Sequence, residues 1–105
     1  MPESQLLAHI REAAAVNGWL LYHVHDSRRS EAGFPDVIAV RDGAILALEL
    51  KGHDARGRLG KATPAQLRWL SALRDGRVVA AVVVTPREWL DNSVLRLLQR
   101  GEAAA

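Results

Sequence analysis

Leu6, Leu7, Ile10, Ala13, Ala14 and Val16 recur at helical spacing and stop at Asn17-Gly18, which predicts a first helix led in by Pro2-Glu3-Ser4-Gln5. Trp19 to His25 is rich in β-formers and predicts the first strand. Asp26 to Gly33 has no apolar period and reads as a loop. Two short apolar runs follow, Val37 to Val40 and Ala44 to Leu50, joined by Arg41-Asp42-Gly43, whose Asp-Gly chemistry predicts an antiparallel hairpin. Gly52 to Ala62 carries three glycines and three basic residues without periodicity and reads as a mobile loop. Thr63 then caps a helix with Pro64 at its first position; Leu67, Leu70, Ala72 and Leu73 form its stripe before Asp75-Gly76 ends it. Arg77 to Val84 is almost unbroken apolar sequence, the pattern of a strand that is central or covered on both faces. Thr85-Pro86 breaks it, and Asp91-Asn92-Ser93 opens a last helix through Val94, Leu95, Leu97 and Leu98. The predicted order is αβββαβ followed by a C-terminal helix, an α/β fold with a mixed central sheet whose fourth strand returns parallel to a neighbour.

Composition narrows this picture only a little. A chain of 105 residues fits one domain, 1–105, with residues 101–105 expected to fray. The absence of cysteine excludes disulfides and thiolate metal sites, and no signal-like or membrane-spanning run is present, so an intracellular soluble protein is expected. The net charge is only +2, yet nearly all the basic residues are arginine, which suits phosphate partners without requiring them.

The charges inside the hairpin are the chemical signal. Asp36 opens the first run directly after Pro35, while Glu49 and Lys51 close the second. Antiparallel pairing brings the start of one strand beside the end of the other, and the period of two turns Glu49 and Lys51 to one face. Two carboxylates at that range repel unless a cation joins them. Hard oxygen ligands in that number suit Mg²⁺ or Mn²⁺ with several waters retained. With an ammonium beside the ion, the set matches phosphodiester hydrolysis.

Other positions carry two readings each. Glu3 at the start of the first helix favours the helix dipole, and Glu12 lies later on the same helix and is less well placed for a site. His23 and His25 share a strand face at a spacing that suits a transition metal, but no third soft ligand is nearby. His25, Ser27 and Arg28 either approach a scissile phosphate from the loop before Asp36 or belong to a solvated polar loop. Arg56, Arg58 and Lys61 either track a nucleic-acid backbone or form a solvated connection. Trp69 fits a core or partner surface better than a base-stacking platform.

Pro35-Asp36, 12 intervening residues, then Glu49-Leu50-Lys51 resembles the PD-(D/E)xK nuclease motif. With Ser27-Arg28-Arg29-Ser30, Gly33-Phe34-Pro35-Asp36 and the later Gln66-Leu67-Arg68-Trp69-Leu70, the chain is most similar to the small VRR-NUC type over most of its length. The resemblance implies a restriction-endonuclease-like fold. It also implies a Mg²⁺- or Mn²⁺-dependent endonuclease acting on DNA rather than RNA, selective for junctions or branches, in the cytoplasm of a bacterial or phage-infected cell. Asp36 and Glu49 would bind the metal with the Leu50 carbonyl, Lys51 would position the attacking water, and Gln66 would support it. Glu3 matches an acidic position that often reaches the metal in this family. Relatives of this kind act as dimers, and Trp89, Leu90, Leu95 and Leu98 are candidates for an exposed interface or for the outer core. The rivals are a nucleic-acid-binding or scaffold protein that kept the fold and lost activity, and a hydrolase of small phosphates, which would need a closed pocket.

Overall fold

Asp42 and Gly43 both adopt positive φ, 48° and 80°, the conformation of a two-residue turn whose twist suits antiparallel strands. They join β2 (Val37–Arg41) to β3 (Ala44–Leu50) in a register that runs from Arg41↔Ala44 to Val37↔Leu48. β1 (Leu20–His23) pairs antiparallel with the far side of β2, and β4 (Ala80–Val84) pairs parallel with β3, giving the sheet order β1-β2-β3-β4. The helices are α1 (Glu3–Val16), α2 (Pro64–Asp75), α3 (Pro86–Leu90) and α4 (Ser93–Arg100). This computed structural model describes residues 1–24 and 31–102. Among them no helix is long and apolar enough to cross a membrane.

The element order follows the periodicity, with three corrections. The fourth strand begins at Ala80 rather than Arg77, and of the two readings of its sequence, central or covered on both faces, the second holds, since it lies at the sheet edge. Its unbroken apolar sequence reflects cover on both faces, since Ala81 packs beneath α2 while Ala80 and Val84 pack on the opposite side. Pro86 does not merely end the strand. Thr85 accepts a hydrogen bond from the Arg87 N–H, and the Glu88 carboxylate accepts from the Thr85 N–H, so a capping box starts the short helix α3. The first strand, expected through His25, runs only to His23.

Strand alternation sorts β3 between two layers. Leu46, Leu48 and Leu50 face Leu6, Ile10 and Ala14 of α1 and Val94 and Leu98 of α4, whereas Ala47 faces Leu70 of α2. Arg41 ties the first layer together. Its guanidinium lies 4.6 Å from the centre of the Trp19 ring and donates to the carbonyls of Asn17 and Leu98 at 3.0 Å, while Trp19 Nε1 donates to the Leu98 carbonyl at 2.7 Å. Gly101, expected in a frayed tail, ends α4 in the left-handed conformation against this same side chain; residues 103–105 lie outside the described set. Of the two readings of Trp89, Leu90, Leu95 and Leu98, an exposed interface or the outer core, the structure favours the outer core. Leu98 is fully buried and Trp89 stacks on His9 at 5.0 Å, which leaves only Leu90 largely in solvent.

On the other layer, α2 meets the segment leading into β2. Gly33 has φ 89°, and a Cβ there would lie 2.5 Å from the Ala65 backbone carbon, so the close approach to the first turn of α2 excludes any side chain. Phe34 then meets Trp69 edge to face at 5.1 Å, and Pro35 is fully buried. Gly33→Ala is therefore expected to cost about 1–3 kcal/mol. A thermal melt that drops by several degrees is the measurement; an unchanged melt would show that the segment relaxes away from α2.

Candidate active site

The hairpin ladder stops at Val37↔Leu48, one residue short of Asp36 and Glu49. There the Asp36 side chain takes over the strand's hydrogen bonding: its Oδ2 accepts from the Leu50 N–H at 2.9 Å, while its own carbonyl accepts from the Val24 N–H at 2.9 Å. Pro35 lacks an N–H and fixes its own φ, which suits this opening of the ladder. Asp36 and Glu49 come together on the α2 side of the sheet, as the hairpin register predicts.

Glu49 is the buried charged residue among the described residues, at 1% exposure. Its Oε2 accepts from Lys51 Nζ at 3.3 Å and from Gln66 Nε2 at 3.0 Å, whereas its Oε1 is buried without a hydrogen-bond partner. Burial, and then the neighbouring Asp36 carboxyl, push the Glu49 acid up to about 8; the Lys51 ammonium pulls the other way but does not win. Two ionised carboxylates are both acceptors, so they share a hydrogen bond only while one keeps a proton.

Gln66 reaches Glu49 because Thr63 orients it. The Thr63 N–H donates to Gln66 Oε1 at 2.8 Å, and the Gln66 N–H donates to Thr63 Oγ1 at 3.2 Å. A backbone N–H can only donate, so this capping box fixes the amide oxygen toward Thr63 and turns its NH₂ toward Glu49. Sequence reasoning found Thr63 as a cap and Gln66 as a site residue, but missed that the Thr-x-x-Gln spacing links the two roles.

Glu3 stands on the first turn of α1. Its carboxyl is held above the ordinary range first by burial and then by the Asp36 charge, with Lys51 opposing, which places it in the electrostatic field of the same cluster. Gly52 permits this approach, because a Cβ there would collide with the Glu3 backbone nitrogen, and the His53 N–H donates to the Met1 carbonyl at 2.8 Å. Neither Gly52 nor His53 stood out in the sequence; the glycine directly after Glu49-Leu50-Lys51 was the available signal. Glu3, Lys51, His53, Asp54 and Arg58 line an open groove beside the carboxylates.

The segment after Lys51 is not the mobile loop its composition suggests. His53 and Leu59 form an antiparallel bridge, and Asp54 Oδ1 accepts from the Arg56 and Arg58 N–H groups, each at 2.9 Å. Arg58 Nε lies 3.3 Å from Asp54 Oδ2, and these bonds hold the Asp54 carboxyl below its usual range. Part of the Arg58 guanidinium is thus engaged within the turn; Arg56 and Lys61 are exposed. His25, Ser27 and Arg28 lie outside the described residues.

The donor set fits a hard divalent cation. Glu49 Oε1 is an orphaned buried oxygen, the Asp36 carboxyl lies close enough to raise the Glu49 acid beyond what burial alone does, and the Leu50 carbonyl lies in the chain between Glu49 and Lys51. Among the described residues no group of three or more His, Cys, Asp or Glu converges closely enough to hold a metal alone. The ligands available are therefore two carboxylates and a carbonyl, a number that leaves room for water, as Mg²⁺ prefers.

No family model matches this chain, and no curated protein does. Two solved structures share its architecture. One is described as a VRR_NUC domain, 23% identical, with 86% of this chain and 91% of that chain covered and a TM-score of 0.63. The chain has a restriction-endonuclease-like fold. The other is Hjc, a Holliday junction resolvase from Archaeoglobus fulgidus, also 23% identical, with 81% of this chain and 66% of that one covered and a TM-score of 0.50. At this level of identity the likeness concerns the fold, namely the three antiparallel-linked strands, the crossover helix and the parallel fourth strand.

Proposed function

We propose that this chain is a divalent-metal-dependent nuclease that cuts branched DNA, acting as a homodimer. The observation that carries the reading is Glu49, a buried carboxylate with one oxygen unsatisfied and the other held by Lys51 and Gln66, with the Asp36 carboxylate beside it. A metabolic hydrolase of small phosphates would enclose its substrate. Here the groove beside the cluster is open and lined by Lys51 and Arg58, with Arg56 and Lys61 exposed on the same segment of chain, which suits a chain of phosphates.

Asp36, Glu49 and the Leu50 carbonyl would hold Mg²⁺ or Mn²⁺, which supplies Lewis acidity at the phosphoryl oxygens. Lys51 stands at the mouth of the groove, where its ammonium orients the attacking water against the phosphate and opposes the charge that develops there. Gln66 fixes Glu49 by a hydrogen bond and leaves its second oxygen for the cation. Glu3, in the field of Asp36 and Lys51, would complete the metal's shell. His25, Ser27 and Arg28 precede the Asp36 strand in sequence and complete the phosphate grip in this reading.

The test is direct. A four-way junction, a plasmid and an RNA are each incubated with the protein in EDTA, Mg²⁺ or Mn²⁺. Junction cleavage in either metal and none in EDTA is the expected outcome. A junction that is retained in a gel shift but never cut in any metal would favour the inactive binding or scaffold protein instead.

A further inference from the structure

We infer that the cavity between α2 and the segment entering β2 is a subsite for one unpaired nucleobase, with Trp69 as its stacking surface. The inference rests on the nucleic-acid reading proposed above and adds to it the feature of the DNA that this chain selects. The cavity is open, has a volume of about 430 Å³, and is lined by Glu31, Ala32, Ala65, Arg68, Trp69 and Ala72. That size falls within the range of small-ligand sites, about 300–1,000 Å³. It shares no lining residue with the groove of Lys51 and Arg58.

Helical spacing builds one wall. Ala65, Arg68, Trp69 and Ala72 stand at i, i+3, i+4 and i+7 on α2 and so share one stripe, while Leu70 turns to the sheet and meets Ala47 and Ala81. Two of the four are alanines, which leaves the space beside the indole open. Trp69 is half-buried, and Phe34 holds its ring edge to face at 5.1 Å. An aromatic ring fixed beside open space suits a base, because every base has a π-face and stacking on it needs no particular sequence. The sequence ranks stacking behind a core or partner role for Trp69; the cavity reverses that order.

Charge sorts the parts of a nucleotide here. Arg68 is exposed at the cavity and draws a phosphate, whereas Arg74, further along the same helix, is held by the Ala81 carbonyl at 2.8 Å. Glu31 on the other wall repels a phosphate. The backbone therefore follows Arg68, and the base is the part that enters.

Position ties the cavity to the carboxylates. Gln66, next to Ala65, donates to Glu49 at 3.0 Å, and Glu31 and Ala32 lead through Gly33, Phe34 and Pro35 into Asp36. The two walls are thus the segments that deliver Gln66 and Asp36 to the site. Trp69 follows Gln66 by three residues, about 5 Å along the helix axis. A strand whose phosphate reaches the carboxylates can then place a base near the cut in the cavity. A duplex keeps its bases stacked, and extrusion costs least where a base is already unpaired, as at a branch. Trp69 is in this way a specificity-determining residue.

Binding titrations in Ca²⁺ test it, using a short single strand and an abasic strand of the same length and charge. The wild type is expected to bind the strand with bases at least about tenfold more tightly, Trp69→Ala to hold the two within about twofold, and Trp69→Phe to keep most of the preference. Should Trp69→Ala fail to fold, Ala72→Gln decides, since it narrows the cavity from an exposed helix position and is expected to lose the preference likewise. A wild type that binds both strands equally, or a folded variant of these two that keeps the preference, overturns the subsite and leaves the nuclease reading intact. A preference that is lost with Trp69 in a protein that never cuts does the reverse. A chain that binds neither strand overturns both.

Discussion

Metal-free protein is expected to lose stability as pH rises from about 5 to 8, and Glu49→Gln is expected to remove most of that loss, leaving the smaller part that Glu3 contributes. In the unfolded chain the Glu49 acid has its ordinary value of 4.5, while in the fold it is pushed up to about 8 by burial and then by Asp36. Between those values the folded state holds a proton that the unfolded state has released. Stability is then full below the unfolded value and falls by up to about 1.4 kcal/mol per pH unit until the folded value is passed, a few kcal/mol in all. Glu3 is shifted in the same direction and adds to the slope. The amide of Glu49→Gln keeps the shape, gives Gln66 an acceptor and removes the titration. Thermal melts of both proteins in EDTA across this range measure the effect. Mg²⁺ or Mn²⁺ should raise the wild-type melt most at the alkaline end, because the cation takes the place of the proton, and should leave Glu49→Gln nearly unmoved. A flat wild-type profile in EDTA would show that Glu49 ionises freely and that neither its burial nor Asp36 holds the proton.

The geometry of the candidate site was legible in the sequence because its parts are local. Asp42-Gly43 sets the hairpin, the hairpin sets the register, and the register alone brings Asp36 to Glu49. What the sequence hid depends on contacts between distant segments. Gly33 against Ala65 and Gly52 against Glu3 are close backbone approaches, and a glycine in a loop looks the same whether or not another chain segment presses on it. Arg41 reads as a turn residue until the carbonyls of Asn17 and Leu98 are beside it. The sidedness of the sheet was hidden for a different reason. Val40 and Ile45 are as apolar as the residues that α2 covers, so pattern alone does not reveal that one helix spans only part of the face. The basic loop misled through composition: three glycines suggested mobility, whereas Asp54 organises the turn from within.

Lys51→Ala is expected to slow single-turnover cleavage by about two to four orders of magnitude while leaving DNA affinity within about tenfold. The ammonium is largely shielded, with the side chain 16% exposed and Nζ 3.3 Å from Glu49 Oε2. A charge held in that position contributes little to ground-state binding, which the exposed cations of the groove can supply, and more to the charge that builds on the phosphate in the transition state. Arg56→Ala should do the opposite. Its exposed side chain lies on the turn beside the groove, so its loss should weaken binding and lower the salt slope by about one phosphate contact with the single-turnover rate at saturation unchanged. Arg58→Ala tests the turn as well, since Arg58 also holds Asp54, so a larger loss there than at Arg56 is expected. Rapid-quench kinetics at saturating protein, paired with binding titrations at several salt concentrations in Ca²⁺, separate the two classes. If Lys51→Ala cleaves at the wild-type rate once saturated, the lysine serves only to neutralise Glu49, and the group that orients the water must be sought at Glu3.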